Sequence, residues 1–233
     1  KELDPIRKAT SVGVLLGVMI SAVMMALVFF FPTQAMGLLT NEQAVIAEGS
    51  RYLVIICFSY VLFAVTNVLL ASLRSVETVR IGFVVTLTAL VVNVILNYGL
   101  IYGRLGMPEL GVAGAALATC ISSWLGPVLL LAISAVEKNL LIGPVKELFA
   151  FTGRHLAEFF RKAAPVMINE AVWSMGILTL NRIYANLGYE YYAGMTIFKT
   201  INDIAFAFCA GLGNACVIMV GKSVGQGKIT RAL

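Results

Sequence analysis

The chain has 233 residues, of which 60% are hydrophobic and only 12% are charged. A water-soluble domain of this size has too little interior to bury so many apolar side chains, so most of them must face lipid. The formal net charge of +5 is small and belongs to loops, which argues against a nucleic-acid-binding surface.

Six continuous apolar stretches follow one another along the chain, and each can cross a hydrocarbon core that needs about 20 residues. Because the stretches do not alternate, and because a spanning backbone must satisfy its own hydrogen bonds, they predict helices rather than strands. The expected fold class is an all-α, polytopic membrane helical bundle. The predicted transmembrane helices are 10–31, 52–73, 81–102, 112–136, 163–187 and 193–220.

Two polar segments between the spans have features of their own. In the first loop, Thr40-x-x-Gln43 fits a capping box, which predicts a short helix starting at Thr40 and running towards the second span. The segment 137–162 alternates apolar and basic residues at helical spacing, which predicts an interfacial amphipathic helix that joins two halves. We therefore predict three parts, with 137–162 connecting 1–136 to 163–233.

Lysine and arginine residues lie mostly on one side of the predicted bundle. Thirteen flank the spans on that side, whereas the other side has two, Arg51 and Arg104. By the positive-inside rule both ends and the connector 137–162 are expected in the cytoplasm, with the chain multi-pass in the cell (inner or plasma) membrane. The chain starts at Lys1 and ends within a basic stretch, so we expect a piece of a longer protein.

The sequence contains no recognisable enzymatic constellation. The four cysteines lie in apolar stretches, which predicts buried thiols, and His155 has no second histidine beside it. Phosphate-binding loops and nucleophile elbows are absent, and a membrane-embedded transferase would need paired Asp motifs that the sequence lacks. We expect no enzyme, no metal site and no cofactor.

Glu170 is a carboxylate inside a predicted span, with Asn169 beside it and no Lys or Arg within four residues. A charge at membrane depth costs at least about 2.5–3.5 kcal/mol, so such a residue is paired, protonated, facing water or functional. Asn181 shares roughly the same helix face. Asp203 is the other acid within a span, and Lys199 four residues earlier predicts an ion pair on the same helix.

A second polar group lies in the first half of the chain. Asn93 and Asn97 are one turn apart on the third span, and Thr119 lies on the fourth. Within a bilayer such side chains either join helices by hydrogen bonds, worth about 0.6–2 kcal/mol, or line a polar site. Aromatic side chains such as Trp173 and Phe206 could line a pocket for apolar compounds.

Four stretches, in this order, resemble the multidrug and toxic compound extrusion (MATE) family of antiporters. ASLRSVETVR is similar to the family's Leu-Arg-x-x-Gly-x-Thr loop, with Glu77 where glycine is usual. NVILNYGLIYGRLGMPELGVAGAALATCIS resembles the family's fifth and sixth spans, RKAAPVMINEAVW the start of its second half, and VGKSVGQGK the end of its eighth span. The resemblance covers essentially the whole chain and implies spans three to eight of twelve.

This resemblance implies two six-helix lobes with a cleft between them, of which the chain supplies four helices, the connector and two further helices. It also implies export of organic, often cationic and aromatic, compounds in exchange for H⁺ or Na⁺ by alternating access. The implied partners are small organic substrates, the lipid bilayer and the missing helices of the same protein.

The resemblance also implies roles for single residues. An acid at the position of Glu170 serves cation coupling in similar members, together with an acid on a later helix that this chain lacks. Some members bind Na⁺ or a proton around an acid on the first helix. In those members the position of Asn97, on a different helix, is often Asp. The candidates are therefore Glu170, Asn169 and Asp203 for cation coupling, Asn93, Asn97 and Thr119 for a cation or polar site, and Trp173, Asn181 and Phe206 for substrate lining.

Two alternatives accompany this interpretation. A lipid-linked precursor flippase of the same superfamily should have a strongly basic central cavity, but the spans offer only Arg182 and Lys199. A non-transporting fragment is the other, because six helices alone could hardly form a cleft between two lobes.

Overall fold

The computed structural model describes residues 3–136, 153–186 and 189–225, and helices account for nearly all of them. These residues contain no strand, which confirms the all-α prediction. The helices are α1 (Leu3–Phe30), α2 (Pro32–Gly37), α3 (Gln43–Ile56), α4 (Ser59–Ser75), α5 (Val79–Tyr102), α6 (Gly111–Val136), α7 (Gly153–Asn186) and α8 (Tyr189–Gly225).

Five helical segments are long and apolar enough to cross a bilayer by themselves, and a bent pair, α3 with α4, supplies a sixth candidate. This confirms a multi-pass α-helical membrane protein. The five single segments are Ile6–Phe30, Val79–Tyr102, Gly111–Ile133, Phe159–Tyr184 and Gly194–Val224.

The second predicted span, 52–73, is not one straight helix. Its residues belong to α3 and α4, which meet at a 55° bend. At the bend the Cys57 thiol donates a hydrogen bond to the Val54 carbonyl at 3.1 Å, and the Ser59 hydroxyl donates to the Ile56 carbonyl at 2.6 Å. Both side chains are buried. Local side-chain bonds thus satisfy carbonyls at the break, where a straight helix would supply backbone donors.

The helix predicted from Thr40 begins three residues later, at Gln43. The Thr40 hydroxyl accepts a hydrogen bond from the nearby Glu42 N–H at 3.3 Å instead of capping the helix, and Glu42 occupies the N-cap position without a side-chain cap. The capping-box prediction was therefore wrong, because threonine made the shorter-range turn bond that competes with capping.

The structure divides into two units, residues 1–176 and 177–233. In the first unit α1 packs on α4, α3 packs on α2 and α6, and α4, α5 and α6 pack on one another. A buried apolar cluster joins the last three helices through Leu73 of α4, Ile81 and Val85 of α5, and Leu130 of α6. This cluster fixes the three helices that enclose the polar cavity described below.

The backbones of α5 and α6 are in close contact at Gly114. A Cβ atom on Gly114 would press against the backbone carbonyl oxygen of Leu100 and would lie 2.7 Å from its carbonyl carbon. The same carbonyl oxygen accepts a hydrogen bond from Leu110 N–H at 2.9 Å, which holds the connecting loop in place. The small-residue stretch of α6 therefore permits backbone contact between helices, as in other membrane bundles.

The turn between α4 and α5 places Glu77 at φ 61°, in the left-handed region. Glu77 N–H donates to the Arg74 carbonyl and Thr78 N–H donates to the Leu73 carbonyl, each at 3.0 Å. These two bonds form a Schellman motif, whose left-handed position is usually glycine. The strain of a side chain there is about 1–2 kcal/mol, which explains why the resembling loop has glycine where this chain has Glu77.

The second unit comprises the end of α7, from residue 177, and α8. Its described side chains are largely exposed, including Phe198, Phe208 and Met219. Of the predicted connector 137–162, residues 137–152 lie outside the described residues, and the remainder forms the start of α7.

Candidate functional site

A cavity of about 390 Å³ lies between α4, α5 and α6. Three apolar spans meet there, yet more than half of the lining side chains are amides or hydroxyls. The polar lining residues are Thr66, Asn67, Thr86, Asn93, Thr119, Ser122 and Ser123. Lipid offers no hydrogen-bond partners, so polar side chains are rare between lipid-embedded helices. A cluster of this size therefore indicates a candidate functional site.

Asn93 is the centre of the hydrogen-bond network at this cavity. Its amide N–H donates to the Ser122 hydroxyl at 2.9 Å, across from α5 to α6. Its amide oxygen accepts a hydrogen bond from the Asn97 amide, also at 2.9 Å. The structure thus brings Asn93 and Asn97 together, although only Asn93 lines the cavity and Asn97 acts on it through Asn93.

The hydroxyl groups of the cavity wall present acceptors rather than donors. Thr66 donates to the Leu62 carbonyl at 2.8 Å, and Thr119 donates to the Ala115 carbonyl at 3.0 Å. A hydroxyl has only one proton, so its lone pairs are what it can still offer to a ligand. Ser123 is bonded in the same way, to the Thr119 carbonyl at 2.7 Å.

No residue in the wall of this cavity is titratable. The wall therefore cannot take up or release a proton near neutral pH, and it combines electrical neutrality with oxygen acceptors. Such a wall favours a ligand that is a cation or that donates hydrogen bonds, in the way that amide and carbonyl oxygens hold hard cations.

Sequence reasoning missed Ser122, the residue that links Asn93 to the next helix. Ser122 follows Thr119 by three residues, so helical spacing already placed the two on one face of α6. Gly126 continues that face, and a Cβ atom there would come within 2.9 Å of the Thr66 hydroxyl oxygen. The signal was present in the spacing, but a serine in a span is too common to stand out without the packing.

The other candidate residues lie on α7 and α8. Glu170, Asn169 and Trp173 are exposed on α7, within the candidate span Phe159–Tyr184. Asn181 of α7 is half-buried, and Phe206 of α8 is exposed.

Asp203 is exposed on α8, within the candidate span Gly194–Val224. Lys199 is exposed on the same helix, four residues before it. In the part of α8 that the structure describes, no ion pair joins the two side chains, so their spacing alone did not bring them together.

The described residues include no group of three or more His, Cys, Asp or Glu side chains that could hold a metal ion. The prediction of four buried thiols was only partly right. Cys57 is buried and Cys120 is half-buried, whereas Cys209 and Cys216 are exposed on α8.

Comparison with known proteins agrees with the helical pattern. A family model described as MatE matches residues 1–99. The chain is 29% identical over 186 residues to a probable multidrug resistance protein NorM of Thermotoga maritima, covering 80% of this chain and 40% of that protein. It is 26% identical over 218 residues to the multidrug resistance protein NorM of Vibrio cholerae, covering 92% of this chain and 47% of that protein.

A probable multidrug resistance protein NorM of Neisseria meningitidis serogroup B matches over 98% of this chain and 50% of its own length, at 25% identity. The chain therefore spans about half the length, or less, of these relatives. The fold and the cavity define a multi-pass helical membrane protein with amide and hydroxyl side chains between three of its helices. The match to the MatE family model over residues 1–99 and the similarity to the NorM relatives agree with the resemblance to the MATE family that the sequence shows.

The hydrogen bond between Asn93 and Ser122 is expected to stabilise the folded protein, so the effects of removing the two side chains on the free energy of unfolding should not be additive. In a double-mutant cycle of Asn93→Ala and Ser122→Ala, we expect a coupling energy of about 0.6–1.7 kcal/mol, the range of hydrogen bonds between membrane helices. Reversible unfolding in mixed micelles measures it. Thr88→Ala is the matched control, because Thr88 is exposed on α5 and bonds only to its own helix. If the coupling energy between Asn93 and Thr88 equals that between Asn93 and Ser122, the hydrogen bond does not contribute to stability.

Proposed function

We propose that the chain is part of a secondary active multidrug exporter, which moves organic, often cationic and aromatic, compounds out of the cell in exchange for H⁺ or Na⁺. The observation that carries the proposal is the match, over 80–98% of this chain, to relatives named as multidrug resistance proteins. The polar cavity among apolar helices supports it, because a transporter needs such a site within the bilayer.

Transport would follow from alternating access of two lobes. Residues 1–136 would supply four helices of the first lobe and 163–233 two helices of the second, with 137–162 joining them on the cytoplasmic side. The excess of Lys and Arg in that connector and at both ends supports this orientation.

Cation coupling is assigned to Glu170, with Asn169 beside it and Asp203 as a second acid. The neutral wall around Asn93 supports this division of roles. A coupling proton needs a titratable group, so it would use Glu170 or Asp203, whereas the cavity's oxygen acceptors suit Na⁺ or a cationic substrate. The two proposed sites therefore differ in the ion that each could take.

The flippase alternative would need a basic cavity for a phosphate-bearing lipid precursor. The cavity between α4, α5 and α6 contains no Lys or Arg. Without a Lys or Arg, its wall offers a phosphate group no charge partner, which favours the exporter.

Transport by the full-length protein tests the proposal. Proteoliposomes loaded with ethidium are expected to lose the dye faster than protein-free vesicles when an inward H⁺ or Na⁺ gradient is imposed, because the gradient drives exchange. Dissipating the gradient with an ionophore should abolish the difference, and the ion that works identifies the coupling. Equal dye loss with and without protein, for both ions and for a second aromatic cation, would contradict the proposal.

A further inference from the structure

The two ends of the bundle formed by α1–α6 differ in charge. At the end where α1 begins, the described side chains include four cations and one carboxylate; these are Arg7, Lys8, Arg74, Arg80 and Glu77. At the opposite end there are two cations and three carboxylates; these are Arg51, Arg104, Glu42, Glu48 and Glu109. Even there, Arg51 is paired with Glu48 at 3.4 Å. Among the described side chains, positive charge is therefore in excess at the first end alone.

One side-chain hydrogen bond joins α1 to α4 near this end. The hydroxyls of Thr10 and Ser72 are 2.7 Å apart, and Thr10 is buried. Lys8 precedes Thr10 by two residues, and Arg74 follows Ser72 by two. Because the helices run in opposite directions, both cations come out at the same end of the pair.

The turn at Glu77 brings a third cation to the same place. Leu73 and Ile81 belong to one buried cluster, each less than 5% exposed. Arg74 directly follows Leu73, and Arg80 directly precedes Ile81. Both arginines are exposed, so they leave the protein at the edge of the same cluster, on either side of the turn.

These cations lie where a lipid headgroup would lie. Arg80 is the second residue of the apolar span Val79–Tyr102. Phe83, one turn deeper on the same side of α5, is 65% exposed. The positive guanidinium of Arg80 lies nearer the end of the span than the apolar ring of Phe83. A phospholipid has the same order, with its charged phosphate outside its apolar acyl chains, so the two surfaces are complementary. Arginine is also the side chain best suited to bind phosphate oxygens in pairs.

We propose that Lys8, Arg74 and Arg80 form a binding surface, the basic end, for the phosphate of an anionic phospholipid such as phosphatidylglycerol. The ligand is recognised by its negative phosphodiester and held beside α5 by its acyl chains. The proposal goes beyond transport and does not depend on it, since lipid binding needs neither a gradient nor a substrate.

Lipid retention by the full-length protein tests this surface. The protein is released from nanodiscs of equal phosphatidylglycerol and phosphatidylcholine, and native mass spectrometry gives the ratio of the two retained lipids. Each Lys or Arg near an anionic surface contributes about a fivefold preference, so R74Q/R80Q is expected to lower that ratio about 25-fold. The matched control is R51Q/R104Q, which removes two arginines from the opposite end and should leave the ratio within about twofold, because Glu42, Glu48 and Glu109 outnumber the cations there and Arg51 is paired.

Two further arms separate the possible causes. R74K/R80K keeps both charges and should keep most of the preference, and helical circular dichroism of each variant checks that it folds. Inorganic phosphate at 10-fold excess over lipid should not displace the lipid, because it lacks acyl chains. The proposal is overturned if both glutamine pairs lower the ratio equally, if neither does, or if inorganic phosphate displaces the lipid. If R74Q/R80Q loses helix content, the single variants R74Q and R80Q replace it, each with about a fivefold drop expected.

Discussion

Replacement of Glu170 by glutamine in the full-length protein is expected to abolish gradient-driven efflux. Glutamine keeps the shape of the side chain, but near neutral pH it neither binds and releases a proton nor has a negative charge. Glu170 lies within the candidate span Phe159–Tyr184, at a depth where a carboxylate is costly to keep without a function. The measurement is ethidium efflux from proteoliposomes under the coupling gradient, with the loss expected in the rate and not in dye binding.

The control for this variant is Glu109→Gln, which removes a carboxylate from the loop before α6 and should leave efflux unchanged. Ethidium binding, measured by fluorescence without a gradient, distinguishes lost coupling from lost folding. Cation-dependent efflux that survives Glu170→Gln at the unmodified rate would remove Glu170 from the mechanism. The remaining candidates for cation coupling would then be Asp203 and the cavity around Asn93.

The largest effect on stability is expected for Gly114→Val. The valine Cβ would press on the Leu100 backbone carbonyl, which cannot rotate away as a side chain can. Overpacking of this kind costs about 1–3 kcal/mol, and the two methyl groups of valine place the variant at the upper end. A lower midpoint of thermal unfolding in detergent, followed by circular dichroism, is the expected result.

Gly176→Val in α7 is the matched control. A Cβ atom at Gly176 would meet no atom within 4 Å, so its replacement should leave the unfolding midpoint nearly unchanged. Helix propensity slightly favours either substitution, by roughly 0.3 kcal/mol, so the difference between the two variants isolates the steric contact. Similar midpoints for both variants would show that α5 and α6 can separate at Gly114 without cost.

The sequence was sufficient for the helices, because lipid imposes a simple rule on apolar runs. It was not sufficient for the bend between α3 and α4. The run 52–73 contains no Pro or Gly to signal a break, and Cys57 is an apolar residue like its neighbours. At the bend Cys57 and Ser59 donate hydrogen bonds to carbonyls of the preceding turn, and α3 and α4 both pack on α6 while only α3 also packs on α2.

The polar cavity was predictable in part. The four-residue spacing of Asn93 and Asn97 placed them on one face of a helix, and the structure joins them by a hydrogen bond. Thr66 and Ser122 could not be assigned to the same site, because their helices are separated in sequence and only packing brings them to one cavity. Hydroxyl residues in a membrane helix usually bond to their own backbone, so their presence alone carries little information.

The bend between α3 and α4 also changes how the combined height of these two helices compares with the thickness of a bilayer. The two helices contain 14 and 17 residues. Placed end to end they would measure about 46 Å, longer than a bilayer of about 40–45 Å including its headgroups. With α4 upright, the 55° bend lowers their combined height to about 38 Å. The break therefore lowers the height of the pair below the full thickness of the bilayer, so that with α4 upright α3 would begin within the headgroup layer.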